Sequence, residues 1–147
     1  MLQQKNLLPL LNNLKKKDFY IEIETNGTIL PDPDIVGSVD HWSVAPKLQN
    51  SGNSIRLREI PQAYNFFTCV PNSHFKYTVG NERDLEEVQG IIQKYGVMPE
   101  RTFLMPQAQD RDSLLEQSLW LVELCKSNGY LFSTRLQILL WENKRSV

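Results

Sequence analysis

Residues 19–28 read FYIEIETNGT, and this stretch decides the fold that the sequence predicts. Apolar and polar side chains alternate from Phe19 to Glu24, which is the two-residue period of a β-strand with two different faces. The strand pattern runs straight into the polar turn 25–28, which contains Gly27. Glycine takes positive φ readily and lets a ligand approach the backbone, so this strand end is a candidate binding site.

Helical and strand patterns alternate along the rest of the chain. A leucine stripe over 7–17 predicts a helix before the first strand, and Pro9 is expected in its first turn. Residues 135–147 are interpreted as a short tail. The other patterns predict strands at 40–45, 74–79, 101–105 and 130–133, and helices at 31–36, from Pro61, at 81–96 and at 111–128. This order predicts βα units, and therefore a parallel sheet in one α/β domain over residues 1–147.

Composition and charge argue against several classes of function. Sixteen basic and seventeen acidic residues give a net charge of -1, and the basic run at 15–17 does not predict nucleic-acid binding. Apolar stretches fall short of the ~20 residues of a membrane span, and the first residues lack a signal-peptide pattern, so a cytoplasmic protein without a membrane partner is expected. Cys69 and Cys125 are too few for a disulfide framework or a metal site, and Cys125 is expected to be buried.

Polar residues follow the predicted strands at their carboxyl ends, where parallel α/β sheets bind ligands. These strand ends read ETNGT, APK, VGN and MPQ, and they offer the hydroxyl of Thr25, the ammonium of Lys47 and the amide of Gln107. Each motif alone is typical of an ordinary turn or a solvated lysine. Together they predict a small-molecule site without naming its ligand. No GxGxxG, GxxxxGK or CxxC pattern is present, and His41 and His74 are interpreted as ordinary strand residues.

The serial order of these motifs resembles one protein family. The segments that carry the resemblance are LLPLLNNLKKKDFYIEIETNGT (7–28), APKL (45–48), FKYTV (75–79), FLMPQ (103–107) and LVELCKSNGYLFSTRLQILLWENKRSV (121–147). They are similar to 7-carboxy-7-deazaguanine synthase, a radical S-adenosylmethionine lyase of the pathway to queuosine and other 7-deazapurines. The resemblance covers essentially the whole chain, and ETNGT and the STRLxxLLWxNKR tail are its most specific parts.

The resemblance implies a shortened βα barrel, that is, a partial TIM-like barrel, and a radical reaction. In the family, a [4Fe-4S] cluster held by three cysteines cleaves S-adenosylmethionine to a 5′-deoxyadenosyl radical, and magnesium assists. The radical abstracts hydrogen from 6-carboxy-5,6,7,8-tetrahydropterin, and ring contraction with loss of ammonia gives 7-carboxy-7-deazaguanine. S-adenosylmethionine and a pterin-type substrate are therefore the small molecules that the resemblance implies for this chain.

The resemblance also implies roles for individual residues. It implies substrate contacts at Thr25, at Gln137 and at the terminal carboxylate of Val147, and it names no catalytic residue and no metal ligand in this chain. Contacts to S-adenosylmethionine are implied for Gly27, Ala45, Pro46, Lys47, Met105, Pro106 and Gln107. Four positions depart from the family pattern: Ala45 replaces a serine, Gln137 replaces a histidine, and Glu142 and Ser146 replace glycines.

The cysteine triplet of the family and its GGEP segment are absent from this sequence, and Met1 resembles an internal position of a longer enzyme. The resemblance therefore implies the C-terminal part of the enzyme, inactive alone and completed by a separately made N-terminal half. Without preceding strands, strand 19–24 would expose a hydrogen-bonding edge, which predicts that half or a second copy as a partner. Two alternatives stay open: a non-catalytic remnant or binding module, and an α/β domain whose strand ends bind another small anionic ligand.

Overall fold

A computed structural model of the chain describes residues 4–142 and Lys144, without the side chain of Lys5. Five β-strands lie in this part of the chain: β1 (Glu22–Thr25), β2 (His41–Val44), β3 (Ser73–Val79), β4 (Thr102–Pro106) and β5 (Leu131–Phe132). The α-helices are α1 (Gln4–Lys15), α2 (Pro33–Val36), α3 (Ile55–Arg58), α4 (Pro61–Cys69), α5 (Glu82–Tyr95), α6 (Arg111–Asn128) and α7 (Leu136–Trp141). Among these helices, none has both the length and the apolar character needed to cross a bilayer.

The strands form one sheet whose order in space is their order in the chain. All neighbouring pairs are parallel, with Thr25 opposite Val44 and Val79 opposite Pro106. Connections between neighbouring parallel strands are right-handed, so they place the connecting helices on one face of such a sheet. The sheet confirms the predicted α/β class with parallel βα units, and it is compatible with a partial TIM-like barrel.

The two faces of the sheet differ in polarity. On β3, Phe75, Tyr77 and Val79 are fully buried in a core that also takes side chains from α1, α2, α4, α5 and α6. The alternate residues His74 and Lys76 are only partly buried and lie on the opposite face. Parallel strands that are buried on both faces read as continuous apolar runs, so the alternation in β3 marks a sheet with one polar face.

Side-chain caps determine where three of the helices begin. Asp32, Asn81 and Asp110 accept hydrogen bonds from backbone N–H groups in the first turns of α2, α5 and α6. The first N–H groups of a helix lack a partner within the helix, and short polar side chains supply it. The predicted cap of α5 and the predicted bounds of α6 are confirmed for this reason.

Arg101 ties the end of α4 to the start of β3. Its guanidinium is buried and donates to the carbonyl oxygens of Phe67 (3.0 Å), Thr68 (2.9 Å), Val70 (2.5 Å) and Ser73 (2.8 Å). The last carbonyls of a helix have no partner within it and carry the negative end of its dipole, so a cation is favourable there. Burial lowers the pKa of Arg101 from its usual value, although a guanidinium remains charged in proteins.

The N-terminal end of the sheet differs from the prediction in two ways. α1 extends on both sides of Pro9, so this proline lies inside the helix and not in its first turn. β1 begins at Glu22 and not at Phe19, because the chain leaves α1 through Asp18, whose φ is 57°. The N–H of Phe19 then bonds to the carbonyl oxygen of Leu14 at 3.2 Å. The alternating sequence pattern therefore starts in a helix exit that pairs with no strand in the described part of the chain.

The C-terminal segment forms α7 where the sequence predicts a short tail. Ile138 is buried and packs with Leu114 and Ala108. Arg111 of α6 donates from Nε to the carbonyl oxygen of Leu139 at 3.0 Å. Packing against α6 thus stabilises a helix of six residues, a length at which apolar spacing alone is a weak signal.

We expect Arg101→Met to lower the free energy of unfolding by about 3 kcal/mol, because several carbonyl oxygens would lose a charged donor while they stay buried. Urea unfolding followed by circular dichroism measures this change. Arg56→Met on the exposed surface of α3 is the matched control and should change the free energy by less than about 0.5 kcal/mol. Equal effects of the two substitutions would contradict the assigned role of Arg101.

His74 has a depressed pKa on the polar face of the sheet. Burial lowers the pKa of His74, and the charges of His41 and Arg101 lower this pKa further. The charge of Glu22 acts in the opposite direction and raises it. The ring centroid of His74 lies 4.8 Å from that of His41. In the unfolded state, His74 has its ordinary pKa of about 6.5, so as the pH falls the unfolded state binds a proton before the folded state does. The free energy of unfolding therefore decreases as the pH falls through this range.

The replacement His74→Gln should therefore make the melting temperature less sensitive to pH between about 7.5 and 5 than it is in the wild-type protein. Thermal melts at several pH values measure the two slopes, and the remaining titrating groups are common to both proteins. Identical slopes would mean that His74 has the same pKa in the folded and unfolded states.

Candidate functional site

A cavity of about 480 Å³ lies at the carboxyl ends of the strands. This volume is within the range of small-molecule sites, which is about 300–1,000 Å³. The cavity wall brings together residues that are far apart in sequence, and six of them are predicted contacts: Ala45, Pro46, Lys47, Met105, Gln107 and Gln137. The parallel sheet explains this, because its strands all end at the same edge.

Backbone hydrogen bonds carry the strand ends into the cavity wall. The N–H of Ala45 donates to the carbonyl oxygen of Thr25 at 2.7 Å, which extends the pairing of β1 and β2 by one step. The N–H of Gln107 donates to the carbonyl oxygen of Val79 at 3.0 Å and extends the pairing of β3 and β4 in the same way. The predicted residues after β2 and β4 are thus held by the sheet itself.

Positive charge predominates in the cavity wall. Lys47, Lys76 and Arg135 contribute three cations, and Glu24 contributes one carboxylate. Lys76 lies 3.5 Å from Glu24 in an ion pair that spans from β3 to β1, and Arg135 donates to the carbonyl oxygen of Ala108 at 2.9 Å. Lys47 is exposed and forms no ion pair within the described residues. The excess of cations favours an anionic or zwitterionic ligand.

The amide side chain of Gln107 is oriented by its neighbours. A Cβ atom added at Gly80 would lie 2.6 Å from Oε1 and 3.3 Å from Cβ of Gln107, so this side chain packs closely against the backbone of Gly80. Asn50 donates from Nδ2 to the carbonyl oxygen of Thr78 at 3.2 Å and to Oε1 of Gln107 at 3.4 Å. Asn50 therefore joins the segment after β2 to the end of β3.

Thr25 and Gly27 shape the turn after β1. The N–H of Gly27 donates to Oγ1 of Thr25 at 3.2 Å, and Thr25 is only 6% exposed. Gly27 has a φ of 70°, and a Cβ atom there would lie 2.8 Å from Cγ1 of Val44. Neither residue contributes to the cavity wall described above, and neither does Pro106. Ligand contacts at these three positions stay predictions.

The structure describes some of the C-terminal residues for which ligand contacts or departures from the family pattern are predicted. Gln137 lies on α7 and lines the cavity. Ser146 and Val147 lie outside the described residues. Glu142 has a φ of 52°, a region that glycine adopts far more easily than glutamate. This is a position where the resemblance implies a glycine, so the departure falls on strained backbone.

Several wall residues were not singled out by the sequence reasoning. Lys76 and Glu24 lie on the polar face of their strands, and the two-residue period of β1 and β3 was the signal that would have found them. Asn50 and Ser51 lie in a short 3-10 turn after β2, for which the sequence contains no comparable signal. Arg135 directly precedes α7, in a segment where the sequence predicts only a short tail.

The residues of this chain do not fit an iron–sulfur cluster. Such a cluster needs three thiolates, and the sequence contains two cysteines. Cys69 is exposed on α4, whereas Cys125 is buried on α6, as predicted. Burial raises the pKa of the Cys125 thiol, which disfavours the thiolate that metals bind. Within residues 4–142, no three His, Cys, Asp or Glu side chains are grouped to hold a metal ion.

The fold and the cavity define an α/β protein with a parallel five-stranded sheet, compatible with a partial TIM-like barrel, and a ligand-sized cavity at its strand ends. A protein named 7-carboxy-7-deazaguanine synthase from Pyrobaculum aerophilum is 33% identical to the chain over 125 residues, which are 85% of this chain and 54% of that protein. The chain belongs to the 7-carboxy-7-deazaguanine synthase family.

Two further relatives carry the same name. The protein from Rhodopirellula baltica is 24% identical over 153 residues, and the match covers 96% of this chain and 58% of that protein. The protein from Hyperthermus butylicus is 27% identical over 146 residues, covering 95% of this chain and 61% of that protein. The chain thus spans between 54% and 61% of the length of these relatives. No protein-family profile matches the chain.

The replacement Gly27→Ala should lower the free energy of unfolding by about 2 kcal/mol, because it adds strain at positive φ and a clash with Val44. Chemical denaturation measures the change. Gly37→Ala is the matched control: its φ is -68°, and a Cβ atom there meets nothing within 4 Å. The control should be neutral or stabilising by up to about 1 kcal/mol. A Gly27→Ala protein as stable as the control would show that the turn after β1 can rearrange.

Proposed function

We propose that this chain forms the S-adenosylmethionine- and substrate-binding wall of a cytoplasmic 7-carboxy-7-deazaguanine synthase. The complete enzyme would be a lyase that converts 6-carboxy-5,6,7,8-tetrahydropterin to 7-carboxy-7-deazaguanine and ammonia. The names of the relatives support this reaction. The observation that carries the proposal is that six residues implied as ligand contacts line one cavity.

The cavity suits S-adenosylmethionine, which carries both a carboxylate and cationic groups. Lys47 and Arg135 supply cations for the carboxylate, and Gln107 supplies an amide that can donate and accept hydrogen bonds. Met105 adds a polarizable apolar surface for the flat adenine ring. The ion pair of Lys76 and Glu24 leaves one group of each sign beside the ligand.

The iron–sulfur cluster of the family must come from residues outside this sequence, since two cysteines cannot supply three thiolates. We therefore derive no step of the radical reaction from this chain, and we assign no magnesium ligand to it. β1 pairs only with β2 among the described strands, which leaves its other edge free for a further strand. That edge is the proposed docking point for the cysteine-bearing part of the enzyme, with a second copy as the alternative partner.

A second candidate function is a non-catalytic module that binds S-adenosylmethionine. This candidate is favoured by the presence of only two cysteines in the sequence. It is also favoured by two departures from the family pattern in the cavity wall, because Ala45 lacks the hydroxyl and Gln137 lacks the imidazole that the family resemblance implies. Binding of the cofactor is common to both candidates. Turnover separates them.

Calorimetry with S-adenosylmethionine tests the binding part of the proposal, and we expect a dissociation constant below about 1 mM for the wild-type chain. Lys47→Ala should weaken binding about tenfold, since it removes one of the cations that faces the ligand carboxylate. Lys16→Ala, which removes an exposed lysine after α1, is the matched control and should bind as the wild type does. No binding by the wild-type chain would refute both candidates.

Anaerobic reconstitution with a cysteine-bearing N-terminal half tests turnover. The enzyme proposal expects 7-carboxy-7-deazaguanine from the reconstituted pair and none from either part alone. Cofactor binding without product from the pair would instead support the non-catalytic module.

A further inference from the structure

The segment between β2 and α3 forms a large part of the cavity wall. Lys47, Leu48, Asn50 and Ser51 from residues 46–51, here called the wall segment, all line the cavity. The wall segment has little regular structure beyond the 3-10 turn Gln49–Ser51. Its position must therefore depend on contacts with other parts of the molecule.

Glu87 of α5 holds the polar side of the wall segment from behind, beside the buried side chain of Leu48. Gln49 is the first residue of the 3-10 turn, and its N–H donates a hydrogen bond to Oε2 of Glu87 at 2.9 Å. Oε1 of Glu87 accepts from Nη1 of Arg58, which is 8% exposed, and the same Nη1 lies 3.5 Å from the carbonyl oxygen of Lys47. One carboxylate thus binds the wall segment both directly and through a buried arginine.

A second ion pair reinforces the same attachment. Glu59, the residue after Arg58, accepts hydrogen bonds from Nζ of Lys94 at 2.5 Å and from the hydroxyl of Tyr95 at 2.6 Å, both at the end of α5. Burial by itself would raise the pKa of Glu59, but these two hydrogen bonds and the charges of Lys94 and Arg58 together lower it. The carboxylate of Glu59 is therefore charged at neutral pH, and α3 is tied to α5 at two places.

We propose that Glu87 is a positioning residue for the cavity: with Arg58 it holds the wall segment so that Lys47 and Asn50 face the ligand. Glu87 does not line the cavity and so acts only through these residues. The geometry explains why the effect reaches the ligand, because Asn50 bonds to Gln107 and the carbonyl oxygen of Lys47 lies against Nη1 of Arg58. The identity of the ligand rests on the proposed function, whereas the holding of the segment does not.

Hydrogen exchange of the full chain without ligand tests the positioning role directly. In Glu87→Gln, the N–H of Gln49 loses a charged acceptor and Arg58 loses its counter-charge, so exchange in residues 47–53 should become at least about tenfold faster. β3 and β4 should exchange at wild-type rates. Glu86→Gln, the exposed neighbour on the same helix, is the matched control and should change neither region.

A double-mutant cycle on S-adenosylmethionine affinity tests the route through Lys47. We expect the Glu87→Gln variant to bind S-adenosylmethionine about fivefold to tenfold more weakly than the wild-type chain. The double variant, with both Lys47→Ala and Glu87→Gln, should bind about as weakly as the Lys47→Ala variant alone. A purely structural role would give additive losses. Thermal melts of both Glu87 and Glu86 variants show whether the fold is retained.

The outcomes separate this inference from the proposed function. Unchanged exchange in residues 47–53, or equal acceleration throughout β3 and β4, would overturn the positioning role whatever the ligand is. Faster exchange confined to residues 47–53 in a protein that does not bind S-adenosylmethionine would support the role of Glu87 and refute the proposed cofactor. Additive affinity losses would overturn the route through Lys47.

Discussion

Parallel pairing of the strands in chain order is the constraint on which the rest of this structure depends. Each parallel connection must return the chain to the starting edge of the sheet, so each needs a crossover that is usually helical. The crossovers share one hand and pack on one face, where the buried residues of β3 and the helices build a single large core. The same constraint collects the ends of all strands at the opposite edge. Ala45 and Gln107 are far apart in the sequence, and they meet in one cavity wall for this reason.

One-sided packing also explains the chemistry of the other face. A sheet with helices on both faces would bury apolar side chains on each, whereas β1 and β3 alternate apolar residues with Glu24, His74 and Lys76. These polar residues lie on the face that the main core leaves uncovered, and Glu24 and Lys76 also line the cavity. The Glu24–Lys76 pair lies partly exposed there, so solvent screening limits what it contributes to stability. Its effect is on the charge of the cavity more than on the fold.

The sequence predicted the parts of this structure that depend on local rules. Periodicity and caps located β2, β4, α5 and α6, and the rule that ligands bind at parallel strand ends selected Lys47 and Gln107. Prediction was wrong where a single backbone angle decided the outcome: Asp18 at positive φ turns the start of the FYIEIE pattern into a helix exit. It could not place Asn50, because the 3-10 turn that carries it is held by a long-range contact, the hydrogen bond from the N–H of Gln49 to Glu87. Contacts of that kind have no signature in a single sequence.

We expect the affinity and the specificity of this cavity for a ligand to depend on different residues. Ala45 and Gln137 remove a hydroxyl and an imidazole that the family resemblance implies, and both side chains line the wall. Lys47, Lys76 and Arg135 supply an excess of positive charge, which attracts an anionic group from a distance and tolerates imperfect geometry. A site that hydrogen-bonds a ligand strictly discriminates against analogues because unpaired polar groups are costly, and each lost partner weakens that discrimination. The cavity of this chain is therefore expected to keep its attraction for a carboxylate while it distinguishes less sharply between ligands that carry one.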